Sequence, residues 1–374
     1  MLFNLIATQP SFGTLRHGGG IYGEIVFRRI LELGYPVSVI YDSSLWLNPE
    51  IEKLCKEHSV LMFDANGRTI QDIINEVKPD ALYSPQPLDN ISCLKNCKVI
   101  VTVHDLRYIE IKLDEMFWRY SPGMILQMKN LLWKLRPGFI RKRRYKKLAC
   151  FLNNADIKFV VVSNHTLSSL RLHFYEYANK NIPVYYSPST IFDKPEARQR
   201  DADYFLLVSA DRWEKNNLRA IMALDELAAE GRLNGKKVVV TGVKSATKLK
   251  YKFKSVDTFE FRGYVSDREL HQLYHDAYCF IYPSLNEGFG YPPLEAMCFG
   301  VPVLASPFSS ISEICGDGAL YFNPYSIEEI KMRIIQLENV YSRKTLIERG
   351  RRQYEKVYNR QKEDLDKLIR FIYE

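Results

Sequence analysis

The chain has 374 residues, of which 46% are hydrophobic and 26% charged. At roughly 150 residues per domain the length points to two domains, and this apolar content excludes a disordered chain. No run approaches the ~18 apolar residues of a membrane-spanning helix, and the opening MLFNLIATQP reads as a first strand rather than a secretion signal, so a cytoplasmic protein is expected.

Lys and Arg number 52 against 44 Asp and Glu, a net charge of +8. The segment 134–147, KLRPGFIRKRRYKK, holds eight Lys or Arg and no acid, which equals the whole excess. The rest of the chain is formally neutral, which argues against a general nucleic-acid binder and leaves a local basic patch. Seven cysteines (55, 93, 97, 150, 279, 298, 315) are scattered without Cys-x-x-Cys or a zinc-like Cys/His spacing, as expected of reduced thiols.

Short apolar runs alternate with helix-like stretches along the chain. The first series is 2–7, 37–41, 81–84, 99–103, 159–163 and 184–187; the second is 204–209, 237–242, 258–263, 278–284, 302–306 and 319–322. Runs apolar on both faces, separated by crossover lengths, suit parallel sheets covered by helices. Two series of six predict an α/β protein of two doubly wound, Rossmann-like domains. The boundary is expected within 188–202, PSTIFDKPEARQRDA, which carries two prolines and no periodicity. The domains are therefore taken as 1–195 and 196–355, with a C-terminal helix over 356–374 a candidate to return to the first.

A helical insertion is expected over about 108–155. Met124, Met128, Leu131, Leu132 and Leu135 recur at helical spacing, with Trp118, Tyr120 and Trp133 nearby. Three readings fit: a hairpin packed on its own domain with a solvated basic face, a surface over 116–147 that sets aromatics and Met into the interface of an anionic membrane, or a site for an acidic polymer.

The segment 283–306, PSLNEGFGYPPLEAMCFGVPVLAS, carries the strongest chemical signal. It begins at a strand end, the ligand side of a doubly wound sheet. Gly288 and Gly290, flanking Phe289, let backbone amides approach a ligand. Pro292 and Pro293 suit a first helical turn, and Gly300 ends the helix. Glu287 then lies in the loop and Glu295 in the helix, two carboxylates on one cleft. SADRWEKNN (209–217) places Arg212 and Lys215 at another strand end ahead of a helix, a pairing suited to a diphosphate.

The spacing Glu287-x7-Glu295, with these glycines and prolines, resembles the signature of the retaining nucleotide-sugar glycosyltransferases of family 4, which have the GT-B fold with two domains facing across a cleft. The resemblance extends over nearly the whole chain. It implies that Arg212 and Lys215 neutralise a leaving diphosphate, that Glu295 binds ribose hydroxyls and that Glu287 positions the donor sugar. FRGYVSDREL (261–270) is similar to the family loop that cradles the base, through Gly263, Tyr264 and Val265. Ser266 with Glu269 in that stretch is also a capping box. Ser309, Ser310 and Glu313 match the stretch after the Glu motif. In the first domain the resemblance implies that the Gly-rich loop with Gly19 and Gly20 faces the donor phosphates and that His104 meets the donor sugar.

The implied reaction is transfer of a hexose from a nucleotide diphosphate sugar to a hydroxyl of a glycan or lipid-linked glycan, in cell-surface polysaccharide synthesis at the inner face of the membrane. No cofactor or metal is expected; the D-x-D at Asp201 to Asp203 precedes a strand and so sits at the wrong end for the cleft, and Asp364 and Asp366 lie in the charged terminal helix. Two other functions compete. Gly18, Gly20 and Gly23 satisfy G-x-G-x-x-G, with Asp42 following 19 residues on, as in an NAD-linked oxidoreductase or epimerase. About ten residues separate Gly18 from the preceding strand, however, where that fingerprint needs a tight turn. A non-catalytic nucleotide-sugar-binding scaffold would share the fold and bind without turnover.

Overall fold

A computed structural model describes residues 1–10, 17–87, 94–112, 114–120, 142, 145–146, 149, 157–191 and 204–374. Two compact units arise. The first gathers Met1–Leu106, Lys142–Thr190 and Tyr358–Glu374; the second gathers Arg107–Arg141 and Ile191–Val357.

The sheet of the first unit has the order β3-β2-β1-β4-β5-β6. Its strands are β1 (Leu2–Asn4), β2 (Ser38–Tyr41), β3 (Leu61–Asp64), β4 (Ala81–Ser84), β5 (Lys98–Val103) and β6 (Ile157–Val161), all parallel. Two expectations need correcting here. The run 2–7 is strand only to Asn4 and continues as a 3-10 turn, Leu5–Thr8. The run 184–187 is not a strand, and Leu61–Asp64 takes the sixth place. Val184 makes one bridge to Val161. The next amides then leave the sheet, because Tyr186 N–H donates to Asp364 Oδ2 and Ser187 C=O accepts from Gln361 Nε2. Pro188 has no N–H to continue a ladder. Leu61–Asp64 escapes the pattern because an edge strand is only half covered, with Leu61 exposed.

The sheet of the second unit has the order β12-β11-β10-β7-β8-β9. Its strands match the predicted runs: β7 (Tyr204–Leu207), β8 (Lys237–Thr241), β9 (Phe259–Arg262), β10 (Ala277–Tyr282), β11 (Val303–Ala305) and β12 (Ala319–Tyr321). Because all pairings are parallel, every strand's carboxyl end lies on one edge of the sheet. Successive strands run outward from β7 to β9 on one side and from β10 to β12 on the other. The order therefore reverses between β7 and β10, which is where an open α/β sheet leaves its ligand crevice.

The core of this unit packs Leu218, Ile221 and Leu224, from the helix Asn217–Ala229, on Leu207, Val240 and Ile281. Asp225 of the same helix is fully buried. It accepts hydrogen bonds from Tyr251 Oη at 2.9 Å and from the backbone N–H groups of Lys254 and Ser255 at 2.8 and 2.9 Å. Those bonds pin the segment that leads into β9.

Met116 is buried in this core, and Tyr120 is half-buried against it. Tyr120 thus faces protein rather than a membrane interface, a correction for that residue. Met124, Met128, Leu131, Leu132, Trp133 and Leu135, the side chain of Trp118 and most of the basic run lie outside the described residues. The expected linker is described only to Ile191, and Asp201 and Asp203 are likewise outside. One helix, Val340–Tyr373, runs from the second unit into the first. Its last turns pack on the first unit through the Arg29–Asp366 ion pair and the Tyr35–Tyr373 ring contact. Among the described residues, no helix is long and apolar enough to cross a membrane.

Candidate functional site

The site forms in the second unit, where the loops after β7 and β10 meet at the switch point. The β7 loop turns at Ser209, which holds φ +57°, and passes through Arg212 into a 3-10 turn, Trp213–Lys215. Ser209 supplies the left-handed residue, and Gly242 (φ +91°) makes room for the loop: a Cβ on Gly242 would stand 2.6 Å from Asp211 Oδ1 and 2.8 Å from Ala210 N. Asn216, also left-handed, anchors the loop by donating to Pro283 C=O and Pro324 C=O.

Lys215 is buried, not a surface residue at a helix start. Its Nζ donates to Glu287 Oε1 at 2.7 Å and to Tyr282 Oη at 2.9 Å. Tyr282, the last residue of β10, donates in turn to Glu287 Oε1 at 2.6 Å, and Ser284 Oγ donates to the same oxygen at 2.5 Å. The Glu287 backbone is fixed as well: its N–H donates to Ser309 Oγ, and its C=O accepts from Ser310 Oγ. Ser310 Oγ also reaches the Phe289 carbonyl, so the 306–310 loop after β11 shapes the Gly288–Gly290 turn.

Burial by itself would raise the Glu287 carboxyl. The Lys215 ammonium and the Arg107 guanidinium, with hydrogen bonds from Lys215 and Ser284, outweigh that and bring it down to about 2. Burial pulls the Lys215 ammonium below its ordinary value, assisted by Arg212 and Arg107 and opposed by Glu287. The Tyr282 phenol is pushed up by burial and by the Glu287 charge, and stays protonated.

Arg212 is held by Glu214, with Nη2 2.6 Å from Oε1, and Arg107 Nη1 stands 3.8 Å from the same oxygen. Three cations and two carboxylates thus share the site. Arg107 escaped the sequence reading, although it lies only three residues after His104. So did Tyr282, Ser284 and Glu214, whose types are too common to signal by themselves.

Gly290 takes φ +104° ahead of the helix Tyr291–Cys298, with Pro292 and Pro293 in its first turn. Glu295 is half-buried on that helix, near enough that its charge, after burial, raises the Tyr274 phenol. Gly300 follows with φ +69°, the expected helix end. Gly263, Tyr264 and Val265 form the turn after β9, on the same edge of the sheet. Gly263 C=O accepts from Gly242 N–H, and Tyr264 is exposed. Ser266 and Glu269 close the capping box. Ser310 stands just before the helix Ile311–Cys315, which contains Glu313, and makes no side-chain cap bond to it.

His104, Gly19 and Gly20 belong to the first unit. His104 follows β5; its Nε2 lies 2.8 Å from Pro85 C=O, its ring meets Tyr22 edge-on, and its carbonyl accepts from Thr166 Oγ1. Gly18, Gly19 and Gly20 are not a loop. They open the helix Gly18–Glu32, capped by His17, whose Nδ1 accepts from Gly20 N–H. A Cβ on Gly20 would stand 2.9 Å from Thr8 C=O, and one on Gly23 2.7 Å from Thr8 Cγ2, so these glycines serve helix packing. The Asp42 carboxylate turns back on Ser44 N–H and Oγ. Nothing in these contacts favours the dinucleotide reading.

Residues 189–353 match the family described as glycosyl transferases group 1. The matched segment is less than half of the chain and contains both glutamates of the motif. The likeness drawn from the Glu motif is thereby shown over those residues. The O-antigen chain mannosyltransferase RfbU of Salmonella typhimurium (strain LT2) is 27% identical over 228 residues, 60% of this chain and 56% of that protein. The chain thus spans about half the length of that relative.

Two solved structures share the fold. A sucrose-phosphate synthase from Thermosynechococcus elongatus superposes with a TM-score of 0.69 at 16% identity, covering 100% of this chain and 98% of that one. Anabaena HepE, solved in complex with UDP and glucose, gives 0.67 at 12% identity and covers 98% of each chain. The fold is GT-B, with two Rossmann-like domains. The matched segment carries the whole Lys215–Glu287 cluster and the helix with Glu295, while Arg107 comes from outside it.

Proposed function

We propose that the protein is a retaining, metal-independent glycosyltransferase that moves a hexose from a nucleoside diphosphate sugar to a hydroxyl of a glycan or lipid-linked glycan in cell-surface polysaccharide synthesis. The observation that carries this reading is the buried Lys215–Glu287 pair at the switch point, with Arg212 and Arg107 beside it. In this reading Arg107, Arg212 and Lys215 stabilise the charge that develops on the departing diphosphate, the task a metal performs elsewhere. Glu287 accepts a hydroxyl of the donor sugar, Glu295 the ribose hydroxyls, and the Gly263–Val265 turn the base. The Gly288–Gly290 turn, with Phe289, lies under the donor. His104, Gly19 and Gly20 are assigned by the same family likeness to sugar and phosphate contacts.

Retention follows from attack on the face the diphosphate leaves. The acceptor oxygen bonds to the anomeric carbon as the bond to the diphosphate oxygen breaks, and the acceptor proton passes to that oxygen. The depressed carboxyl of Glu287 supports this route, since a carboxylate held near 2 is a weak base at neutral pH. Trapping a glycosyl group covalently on Glu287 would contradict it.

The test is thermal stability against UDP, GDP, ADP, TDP and NAD, repeated with EDTA. A ligand at 100 times its Kd adds about 2.7 kcal/mol. The expected result is a shift with one nucleoside diphosphate that survives EDTA, followed by release of that nucleotide from its sugar. The relative's name makes a mannosyl nucleotide the first donor to try. A shift with NAD alone overturns the reading, and binding without turnover leaves a scaffold.

The basic run of 134–147 supports action at the cytoplasmic face of an anionic membrane. Replacing the cations of 141–147 is expected to abolish a preference for anionic over neutral vesicles in a flotation assay. Equal recovery with both vesicle types, before and after the change, refutes the basic run as a contact for an anionic membrane.

A further inference from the structure

Glu287 presents its two oxygens unequally. Oε1 receives three donors, from Lys215, Tyr282 and Ser284, at 2.5–2.7 Å. Among the described residues no donor reaches Oε2. A carboxylate left to itself rotates between two equivalent states, because its terminal torsion is broad and two-fold. A site that positions a ligand hydroxyl to within a fraction of an ångström needs that rotation stopped.

Lys215 Nζ also donates to Tyr282 and Ser284 Oγ also stands 3.3 Å from Glu214 C=O, so of the three donors Tyr282 is the one that accepts a bond from within the cluster while donating to Glu287. Its phenol has a single proton, which goes to Glu287; its lone pair then takes the Lys215 proton, so the chain Lys215 to Tyr282 to Glu287 has one direction. The ring is buried at the end of β10, and the Lys215 ammonium lies over it, 5.2 Å from the centroid. The buried ring fixes the position of the phenol oxygen, whereas the serine oxygen can move with its rotamer.

We propose that Tyr282 is a positioning residue that locks the Glu287 carboxylate in one rotational state, with Oε1 engaged by the protein and Oε2 offered to the bound sugar. The proposal rests on the glycosyltransferase reading for the identity of that sugar, and on the geometry alone for the lock.

Tyr282→Phe tests it, because it removes one buried oxygen and keeps the ring. The lock makes three demands. The stabilising shift from nucleoside diphosphate stays at the parent value, since Arg107, Arg212 and Lys215 remain. The donor KM changes less than about threefold while kcat falls about 10–100-fold, the scale of a misplaced reacting group. The acid loss of stability contributed by Glu287, taken as the difference from Glu287→Gln, moves to higher pH. The charged and titratable groups facing Glu287 are Lys215, Arg107, Arg212 and Tyr282, with Glu214 bound to both arginines. Only the phenol changes in the variant, so a displaced acid window reports the lost hydrogen bond.

Parent values of kcat and of the acid window in Tyr282→Phe overturn the proposal. A parent enzyme that turns over no nucleotide sugar, with the acid window still displaced in Tyr282→Phe, removes the transferase reading and upholds the lock.

Discussion

Lys215→Met will destabilise the protein by about 3–5 kcal/mol, because it leaves the buried Glu287 carboxylate without its nearest counter-charge. Glu287→Gln will cost a similar amount by stranding the ammonium. The double variant Lys215→Met/Glu287→Gln is expected to lose far less than the sum, since neither charge then remains buried. Catalysis will not recover with it. Each variant, and the double, is expected to lose on the order of 10²–10³ in kcat for the proposed donor, as when a preorganised charge stabiliser is removed. Urea titrations of the three variants, alongside nucleotide release, check both halves. Additive stability losses would refute the pairing.

The sign of the pH effect follows from the same pair. Glu287 is depressed to about 2 in the folded chain, below its ordinary 4.5. Its stabilising contribution is complete above about 4.5 and disappears as pH falls toward 2. Glu287→Gln removes that part of the acid sensitivity.

Asp225→Ala carries the second large effect. It leaves two backbone N–H groups and the Tyr251 hydroxyl without their shared acceptor. Unmade partly buried hydrogen bonds of this kind cost about 1–3 kcal/mol each before relaxation, so a loss of about 2–4 kcal/mol is expected in urea. Asp225→Asn will fall between, because its Nδ2 must face an N–H donor. Amide exchange should quicken at Lys254 and Ser255 before the rest of the sheet. A loss below about 0.5 kcal/mol in the alanine variant would show that water replaces the carboxylate freely.

The local signals were legible in the sequence because each is a property of a few neighbouring residues. The strands of the second unit announce themselves as runs apolar on both faces, except the edge strand β9, whose Phe259 and Phe261 alternate with Glu260 and Arg262. Gly290, Pro292, Pro293 and Gly300 punctuate one loop and one helix wherever they occur. Glu287 and Glu295 follow from that punctuation. Where the sequence pattern erred, the cause was long-range: 184–187 has strand composition, but Asp364 and Gln361, some 175 residues away, take its backbone bonds. The glycines at 19 and 20 read as a loop, yet Thr8 and His17 make them a helix start.

The site itself needed the fold. Lys215 and Glu287 are 72 residues apart, and only the reversal of strand order between β7 and β10 brings their loops together. Arg107 joins them from a segment that no local pattern connects to either. Residue types at strand ends are set by the chain; the burial that turns Lys215 and Glu287 into a coupled pair exists only once the two loops have packed. By itself, then, the sequence determined the two α/β units and the loops that carry the chemistry. The tertiary structure decided which charges meet, how far each is taken from water, and therefore which of them can act on a ligand.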